Sequence, residues 1–344
     1  GYNENMFNPK YKLSATLLKA ITECERLYGQ IESLKIPHEI ELNLERSNEI
    51  NSSYFSNSIE GNPLSLPEVT NLLLDERVPA NRDEKEIVNY FKILRTLQKH
   101  TEGQLTLQKV LQIHKELMSG VNDKIAGDIR NKTIVVGKYK NNSGKVELEI
   151  KHNPPTHKKK EIEQLLNKLI EWINKSKDPI LIKAGVFHHE FVRIHPFEDG
   201  NGRTCRLLTA LLFIKEEYFI NKYFVLDDYY DVDRPAYSDA LHSADKGNKT
   251  EWLEYFSIGC KYSLQSALAR VKNALKTLKI SERPTNREQD VIDILQQYKE
   301  VTSSDVAKNL SISRQQAHNL LKGLKNKGLI EKKGTTKSSY YRLK

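Results

Sequence analysis

One short stretch, His195–Arg206 (HPFEDGNGRTCR), brings together residues that suit phosphate chemistry. Pro196 disfavours helical geometry in the residue before it, so the apolar helix that leads into the stretch must end near His195. Gly200 and Gly202 give a backbone that can bend sharply and approach a ligand closely. The helix that follows points unpaired N–H groups into this turn, and a glycine turn at a helix N-terminus is an anion site.

The charged side chains of the stretch fit the transfer of a phosphoryl or nucleotidyl group. Arg203 and Arg206 lie three residues apart, so they share a helix face and can hold successive phosphates. Asp199 offers a hard oxygen ligand for Mg²⁺. His195, with an ordinary pKa of about 6.5, can accept a proton near neutrality. A packed histidine and a surface glycine turn would explain these residues singly, but their combination predicts a transfer site.

The stretch resembles the signature of the Fic family, HPFx(D/E)GNGRxxR, and matches it at each fixed position. The resemblance covers residues 10–275 and implies a helical enzyme that transfers AMP from ATP to a Ser, Thr or Tyr hydroxyl of a protein, itself included. It implies that His195 is the general base, that Phe197 anchors the loop after Pro196, and that Asp199 holds Mg²⁺. The implied nucleotide-binding residues are Gly200, Asn201, Gly202, Arg203, Thr204, Cys205, Arg206 and Tyr237.

An inhibitory segment follows from the same resemblance. Ser56, Glu60 and Gly61 match the motif (S/T)xxxE(G/N), placed N-terminal to the core as in class II Fic proteins. Locally the segment is typical of a last helical turn that ends on a glycine. The resemblance implies a salt bridge from Glu60 to Arg206 that misaligns the α-phosphate of bound ATP, and a displacement of about 1 Å can cost on the order of 10²-fold in rate.

A β-hairpin is expected over 132–150, inside an otherwise helical pattern. Residues 133–137 (TIVVG) are β-branched and end in glycine, residues 141–144 (NNSG) suit a turn, and residues 145–150 alternate. The resemblance implies a flap that docks the target as an extra strand through main-chain hydrogen bonds. The implied flap residues are Ile134, Val135, Val136 and Gly137. An ordinary structural hairpin is the alternative.

The rest of the chain is predicted to be mainly α. Apolar spacing near 3.6 residues predicts helices at 11–33, 65–74, 84–100, 106–118, 158–173, 179–194, 203–217, 235–244 and 250–278. His114 and His188 are expected to be packed core histidines. The predicted domains are an N-terminal helical region with the inhibitory motif (1–80), the Fic catalytic core (81–278), a polar linker (279–287) and a small domain (288–344).

The small domain resembles a winged helix-turn-helix of bacterial regulators. Its candidate recognition helix opens with side chains that can contact groove edges or phosphates, namely Arg314, Gln315, Gln316, His318 and Asn319. Lys332, Lys333 and Lys337 lie in the wing, around Gly334. Residues 281–344 carry 13 Lys and Arg against 7 Asp and Glu, most of the excess of +9 in the whole chain. DNA is one expected partner, and a protein or dimer contact is the alternative.

The amino-acid composition excludes several classes of protein. With 344 residues, 38% hydrophobic and 29% charged, the chain is neither disordered nor collagenous nor a coiled coil. No apolar stretch approaches the roughly 20 residues that a bilayer needs, and no signal peptide is visible. Three cysteines without CxxC spacing exclude a disulfide framework and a cysteine zinc site, which favours the cytoplasm.

Several functions stay open at this point. De-AMPylation, or transfer of UMP, phosphate or phosphocholine, would use the same loop, because the loop recognises phosphates and not the base. A DNA-bound regulator whose Fic core only senses nucleotide is a further alternative, although the intact His195 and Asp199 argue against an inert core. The sequence leaves the oligomeric state open, and the resemblance adds a homodimer as a possible assembly.

Overall fold

The fold is mainly helical, with two small antiparallel sheets, which confirms the predicted fold class. The computed structural model describes residues 7–142, 145–218, 220–281, 284–334 and 339–343. The chain forms two compact units, Gly1–Ala269 and Arg270–Lys344. Across the described residues, no helix combines the length and the apolar character needed to cross a bilayer.

The first unit contains long helices joined by short connections. They are α1 (Ala15–Glu32), α2 (His38–Ile59), α3 (Leu66–Leu74), α4 (Arg82–Thr96), α5 (Leu107–Met118), α6 (Lys159–Lys175), α7 (Ile180–Ile194), α8 (Asn201–Lys215), α9 (Ile220–Tyr223), α10 (Asp227–Val232), α11 (Arg234–Ser243) and α12 (Thr250–Ser281). Two 3₁₀ helices follow α4 and α11, at Leu97–His100 and Ala244–Lys246. The periodic segments therefore became helices close to the predicted bounds.

Helices α7 and α8 lie at the centre of this unit. Every residue from Ile180 to Phe191 in α7 is buried, and so is every residue from Leu207 to Phe213 in α8. A helix that is covered all round carries a nearly continuous apolar sequence rather than a single apolar stripe. The loop between α7 and α8 is consequently held at both ends by buried helices, which fixes the position of the phosphate motif.

Helix α2 is the longest helix that apolar spacing missed, since only its last turn was predicted; the short helices α9 and α10 were also not predicted. The buried face of this 22-residue helix is polar, with Asn48, Ser52 and Asn57 covered by the rest of the unit. Hydrogen bonds satisfy these groups: Asn48 Nδ2 donates to a main-chain carbonyl 3.1 Å away, and Ser52 Oγ donates to Asp227. A polar face shows no hydrophobic period, so sequence spacing could not reveal this helix.

The hairpin exists, but the predicted bounds of its first strand were wrong. Strand β1 (Val136–Asn142) pairs with β2 (Lys145–His152), and Gly137 lies inside β1 beside a register irregularity rather than at its end. Residues before Val136 would have to pair beyond His152, where Pro154 and Pro155 have no N–H to donate. Ser143 and Gly144 of the predicted turn lie outside the described residues.

The second unit has its own small core. Helices α13 (Asn286–Tyr298), α14 (Ser303–Asn309) and α15 (Arg314–Asn326) each begin at a Thr or Ser whose side chain closes a capping box. Strands β3 (Glu300–Val301), β4 (Ile330–Lys333) and β5 (Tyr340–Leu343) form an antiparallel sheet in the order β3-β5-β4. Because α12 extends to Ser281, the first residues of the predicted linker are helical.

Candidate active site

The motif folds into a tight loop between α7 and α8. His195 caps α7 in the left-handed region (φ +51°), and its N–H donates to the carbonyl of Phe191 at 3.0 Å. Gly200 precedes α8 with φ +75°, and a Cβ there would lie 3.0 Å from Met118 Sδ. Only glycine fits this second position without strain.

The side chain of Asn201 closes the loop on itself. Its Oδ1 accepts from the N–H of Phe197 at 2.9 Å, and its Nδ2 donates to the Phe197 carbonyl at 2.8 Å. The Phe197 ring is fully buried and stacks on His114 with centroids 3.6 Å apart. The Asn201 carboxamide is therefore used within the loop, which leaves its main-chain N–H to face a ligand.

His114 supports the loop as a neutral side chain. Its Nδ1 accepts from the N–H of Gly127 at 3.0 Å, so Nε2 carries the proton and donates to the main-chain oxygen of Asp199 at 3.1 Å. Burial lowers the pKa of His114 to about 4, which keeps the ring uncharged at neutral pH. His114 is thus a packed histidine that shapes the motif from 85 residues away in the sequence.

The His195 imidazole is held in the tautomer that a general base needs. Its Nδ1 lies 3.3 Å from the carbonyl of Val192, which can only accept, so Nδ1 bears the hydrogen and Nε2 keeps its lone pair. Burial, helped by the nearby His152 and Arg130, outweighs the Val192 hydrogen bond and lowers the pKa of His195 to about 4. The ring is consequently neutral and able to accept a proton at pH 7.

Arg130 fixes the main chain around His195, and sequence reasoning missed it. Its guanidinium is 1% exposed and donates to the carbonyls of His195 (2.6 Å), Ile194 (3.2 Å) and Thr156 (2.9 Å). A local pattern cannot reveal a side chain that acts on carbonyls 64 residues away.

The start of α8 presents a set of donors. The N–H groups of Asn201, Gly202 and Arg203 lie in the first turn, where a helix offers them no partner. The Arg203 guanidinium is nearly buried, 3.0 Å from Glu86 and 3.4 Å from Asp199. Its Nε has no hydrogen-bond partner among the described residues. An anion at this turn would meet both the helix dipole and a buried cation.

The carboxylate of Glu60 already lies at this turn. Arg206 Nη2 is 2.7 Å from Glu60 Oε1, and the same guanidinium donates to Ser56 Oγ (2.6 Å) and the Ser56 carbonyl (2.8 Å). A Cβ on Gly202 would lie 2.0 Å from Glu60 Oε1, so glycine permits the close approach. Gly61 ends the segment at φ +91°. The salt bridge implied by the inhibitory motif is thus present.

Electrostatics keep Arg206 charged. Burial lowers the pKa of Arg206, but the carboxylates of Glu60 and Asp227 raise it more, so the net pKa is above the ordinary value. Burial raises the pKa of Asp227 to about 6 against the pull of Arg206 and of the Ser52 hydrogen bond. Removing the carboxylate of Glu60 would therefore leave a buried cation short of negative charge.

The carboxylate of Asp199 remains partly open. Its side chain is 41% exposed, and Arg82 Nη2 lies 3.0 Å from its Oδ2. Its Oδ1 accepts from the N–H of Gly200 and lies 3.4 Å from Arg203 Nη2. Magnesium is usually bound by one or two carboxylates together with substrate phosphates, so an exposed carboxylate beside an anion site fits that ion.

The structure does not bring three of the predicted nucleotide-binding side chains to the surface of this site. The Tyr237 hydroxyl bonds His188 Nε2 at 2.8 Å, and its ring stacks on Tyr230 with centroids 4.5 Å apart. Thr204 and Cys205 are fully buried. These side chains, with His188, lie in the core beneath Arg206.

The other predicted residues have simple placements. Ile134 and Val135 precede β1, and no described backbone hydrogen bond involves them.

The residues predicted to contact DNA lie on α15 and in the wing. On α15, exposed side chains include Arg314, His318 and Asn319. The Gln316 carboxamide is used in the capping box of that helix. Gln315 Nε2 donates to Asn319 at 3.2 Å. The wing residues Lys332 and Lys333 are exposed, and Lys337 lies outside the described residues.

Comparison with known proteins places this loop in a family. The model of the Fic/DOC family matches residues 104–213, which include the motif. Protein adenylyltransferase fic-1 of Caenorhabditis briggsae is 26% identical over 242 residues, 67% of this chain and 43% of that protein. Protein adenylyltransferase Fic of Aedes aegypti is 29% identical over 208 residues, 56% of this chain and 38% of that protein. The chain thus spans about two fifths of the length of these relatives.

Solved structures share the fold. A Fic family protein from Desulfovibrio desulfuricans matches with a TM-score of 0.65 at 22% identity, covering 98% of each chain. Residues 134–508 of Fic-1 from Caenorhabditis elegans match with a TM-score of 0.61 at 22% identity, covering 76% of this chain and 74% of that one. With the motif, the family match and this common fold in hand, residues 104–213 are identified as a Fic domain.

Proposed function

We propose that this protein transfers AMP from ATP to a hydroxyl side chain of a target protein, and that Glu60 restrains the reaction. One observation carries the proposal: a neutral His195 lies in the loop before α8, and at the start of that helix Arg206 holds the carboxylate of Glu60. A carboxylate in that position uses the donors that a phosphate would use. Relatives that carry the name protein adenylyltransferase support the choice of AMP as the transferred group.

The chain's own groups account for each part of the transfer. The lone pair of His195 Nε2 accepts the proton of the target hydroxyl, and the oxygen bonds to the α-phosphorus of ATP. The bond from that phosphorus to the bridging oxygen breaks, and pyrophosphate leaves with the electron pair. Arg203, Arg206 and the first N–H groups of α8 hold the leaving charge, which is the electrostatic work that phosphate transfer requires.

Magnesium would be held by Asp199 together with phosphate oxygens. The ion supplies neutralisation of phosphate charge when it is bound. Asp199 fits this role because its carboxylate is partly exposed at the edge of the anion site. The same carboxylate orients Arg203 and Arg82, which lie 3.4 Å and 3.0 Å from it.

Restraint by Glu60 follows from competition for the same donors. While Glu60 holds Arg206, the guanidinium cannot bind the terminal phosphate of ATP, and the α-phosphate loses its alignment with His195. The carboxylate is 37% exposed and lies at the end of α2, so it can leave the site without unfolding the helix. Ser56, which binds Arg206 twice, would keep the guanidinium in place after Glu60 leaves.

Target docking is assigned to the segment before β1. The main chain of Ile134 and Val135 lacks backbone partners among the described residues, and Val135 is 39% exposed. An extended target segment could pair with these groups as an added strand, with Val136 and Gly137 continuing the edge. Such docking depends on main-chain bonds, which makes it weakly selective for sequence.

The test is product identity. The Glu60→Gly form is incubated with Mg-ATP and, in parallel, with Mg-UTP and Mg-GTP, and the mass added to the protein is measured intact and after digestion. We expect the mass of AMP on a Ser, Thr or Tyr, from ATP above the other nucleotides. Addition of a lone phosphate or of UMP would replace the proposed reaction with another transfer. No addition by Glu60→Gly with any nucleotide would reject the transferase.

A second function, DNA binding, is favoured by the charge of α15. Its exposed residues include Arg314, Lys322 and Lys325, and 314–328 contain no Asp or Glu. We propose that this helix and Lys332 and Lys333 contact duplex phosphates. Binding that weakens steeply with salt would support it, while no binding at about 50 mM salt would favour a protein contact instead.

The state of the three cysteines indicates the cellular compartment in which the protein works. Cys24, Cys205 and Cys260 are free thiols, and all three are buried. Free thiols are typical of a reducing compartment, so we place the protein in the cytoplasm.

A further inference from the structure

We propose that His152, His242 and Asp245 form a binding site for one divalent transition-metal ion, with Zn²⁺ as the expected occupant. The three residues come from the end of β2, from α11 and from the 3₁₀ helix that follows α11. One ligand atom from each lies within 4.8 Å of the others. Two imidazoles and one carboxylate suit zinc and its neighbours in the first transition row better than Mg²⁺.

The hydrogen-bond geometry around His152 favours a cation between it and Asp245. The His152 side chain is 4% exposed, and both of its ring nitrogens face oxygen acceptors. Nε2 lies 2.8 Å from the carbonyl of Arg193, and Nδ1 lies 2.9 Å from Asp245 Oδ2. A neutral imidazole has only one N–H, so donation to Arg193 leaves the Nδ1 lone pair against a carboxylate. A metal ion between the two groups would relieve that repulsion.

The position of His242 next to the same carboxylate oxygen also favours a metal ion at this site. Its Nδ1 lies 3.0 Å from the same oxygen, Asp245 Oδ2, and its ring runs nearly parallel to that of His152 at an angle of 18°. Two ligand atoms of a tetrahedral zinc, each about 2.1 Å away, are about 3.4 Å apart. The two nitrogen–oxygen distances are a few tenths of an ångström shorter, so small side-chain shifts would place all three donors on one face of the ion. The partly exposed side chains of His242 (19%) and Asp245 (25%) leave the other face towards solvent.

A second layer of contacts orients the ligands as metal sites require. His189 Nδ1 accepts from Lys249 Nζ at 2.7 Å, so its Nε2 carries the proton and donates to Asp245 Oδ1 at 3.0 Å. That bond occupies one carboxylate oxygen and turns the other towards His152 and His242. The bond from His152 Nε2 to a main-chain carbonyl likewise fixes the tautomer with a free Nδ1. Partners of both kinds are usual around ligating histidines and carboxylates.

The site would fasten the base of the hairpin to the α11 region. His152 is the last residue of β2, whereas its partners lie 90 or more residues later in the chain. The proposed ion is distinct from the magnesium at Asp199, because the two sites share no residue and use different ligand chemistry. It also does not depend on the proposed AMP transfer, since no nucleotide group takes part.

The experiment is a titration of tag-free, full-length protein with Co²⁺ alone, after chelator treatment and without nucleotide. Visible absorption reports coordination by nitrogen and oxygen, and Zn²⁺ is then added to displace the cobalt. We expect one Co²⁺ per chain and binding at least tenfold weaker in His242→Ala. His242 is partly exposed, so its removal should leave the fold intact, which circular dichroism checks.

Two matched variants separate the site from other histidines and from Asp199. His38→Ala removes an exposed histidine of α2, and Asp199→Ala removes the magnesium ligand. Both should bind Co²⁺ as the unmodified protein does. Failure of the unmodified protein to bind Co²⁺ or Zn²⁺ would overturn the proposal. Equal binding by His242→Ala and the unmodified protein would overturn it as well.

Discussion

The first two turns of α8 and of α15 carry similar residue types in opposite environments. Arg206 and Asn201 in α8 are 4% exposed, and each is tied to several partners. Arg314 and Asn319 in α15 are exposed, and their described contacts are to neighbouring side chains such as Ser304 and Gln315. The Arg and Asn side chains are therefore held in fixed positions by buried contacts in α8, whereas those of α15 are exposed to solvent.

This difference teaches where function should be sensitive to substitution. Around α8, burial makes every polar contact expensive to lose, because an unpaired buried group keeps its desolvation cost. Around α15, water replaces any lost partner. Changes at the α8 turn should consequently alter rate or stability strongly, and changes at α15 should alter only the binding of a charged partner.

The largest effect is expected from His195→Ala. Removal of the base should lower AMP transfer by about 10²- to 10⁴-fold in the Glu60→Gly background, while ATP binding changes little. The rate of AMP incorporation and the Kd for ATP are measured side by side. Transfer within a few-fold of the parent would show that another group removes the proton.

Asn201→Ala and Asn319→Ala form a matched pair across the two helices. Loss of the two Asn201 hydrogen bonds should lower the free energy of unfolding by about 1–3 kcal/mol, whereas Asn319→Ala should stay within about 0.5 kcal/mol. Urea denaturation followed by circular dichroism measures both. Similar losses of unfolding free energy in the two variants would contradict the contrast between the buried start of α8 and the exposed start of α15.

The pH dependence of kcat/KM tests the claim that burial keeps the His195 imidazole neutral. The folded pKa of about 4 lies below the ordinary imidazole value, so the neutral, active form persists as pH falls from 8 to 5. We expect kcat/KM to stay level between pH 7 and pH 6. An ordinary imidazole at about 6.5 would instead lose about threefold over that interval.

The smallest effect is expected from Arg314→Ala. Loss of one phosphate contact should reduce the slope of log affinity against log salt by about 1 for duplex DNA, with little change in stability. Arg287→Ala, an exposed arginine of α13, is the control and should leave the slope unchanged. Equal slopes for all three proteins would remove α15 from the DNA interface.

The sequence predicts what local physics determines. Glycines, prolines and apolar spacing located the loop at His195–Arg206 and most helices, and the motif resemblance paired Glu60 with Arg206, which the structure places 2.7 Å apart. Contacts between distant residues outside these motifs were not predictable. His114 under Phe197, Arg130 on the His195 carbonyl, and the His152–Asp245 pair each join segments 65 or more residues apart.

Two of the differences between the predicted and the observed elements have identifiable physical reasons. The polar buried face of α2 hides its period, so spacing showed only its final turn. The start of β1 depends on its partner strand, which ends where prolines follow His152. In each case the deciding information lies in the neighbouring element rather than in the segment itself.

The central claim is that Glu60 and a phosphate compete for Arg206 at the start of α8. The most direct test measures AMP incorporation from Mg-ATP for Glu60→Gly in two backgrounds, with Arg206 intact and with Arg206→Ala, and with Glu76→Gly as an exposed control. The account predicts a rise on the order of 10²-fold with Arg206 intact and little rise without it. An equal rise in both backgrounds, or none in either, would contradict it.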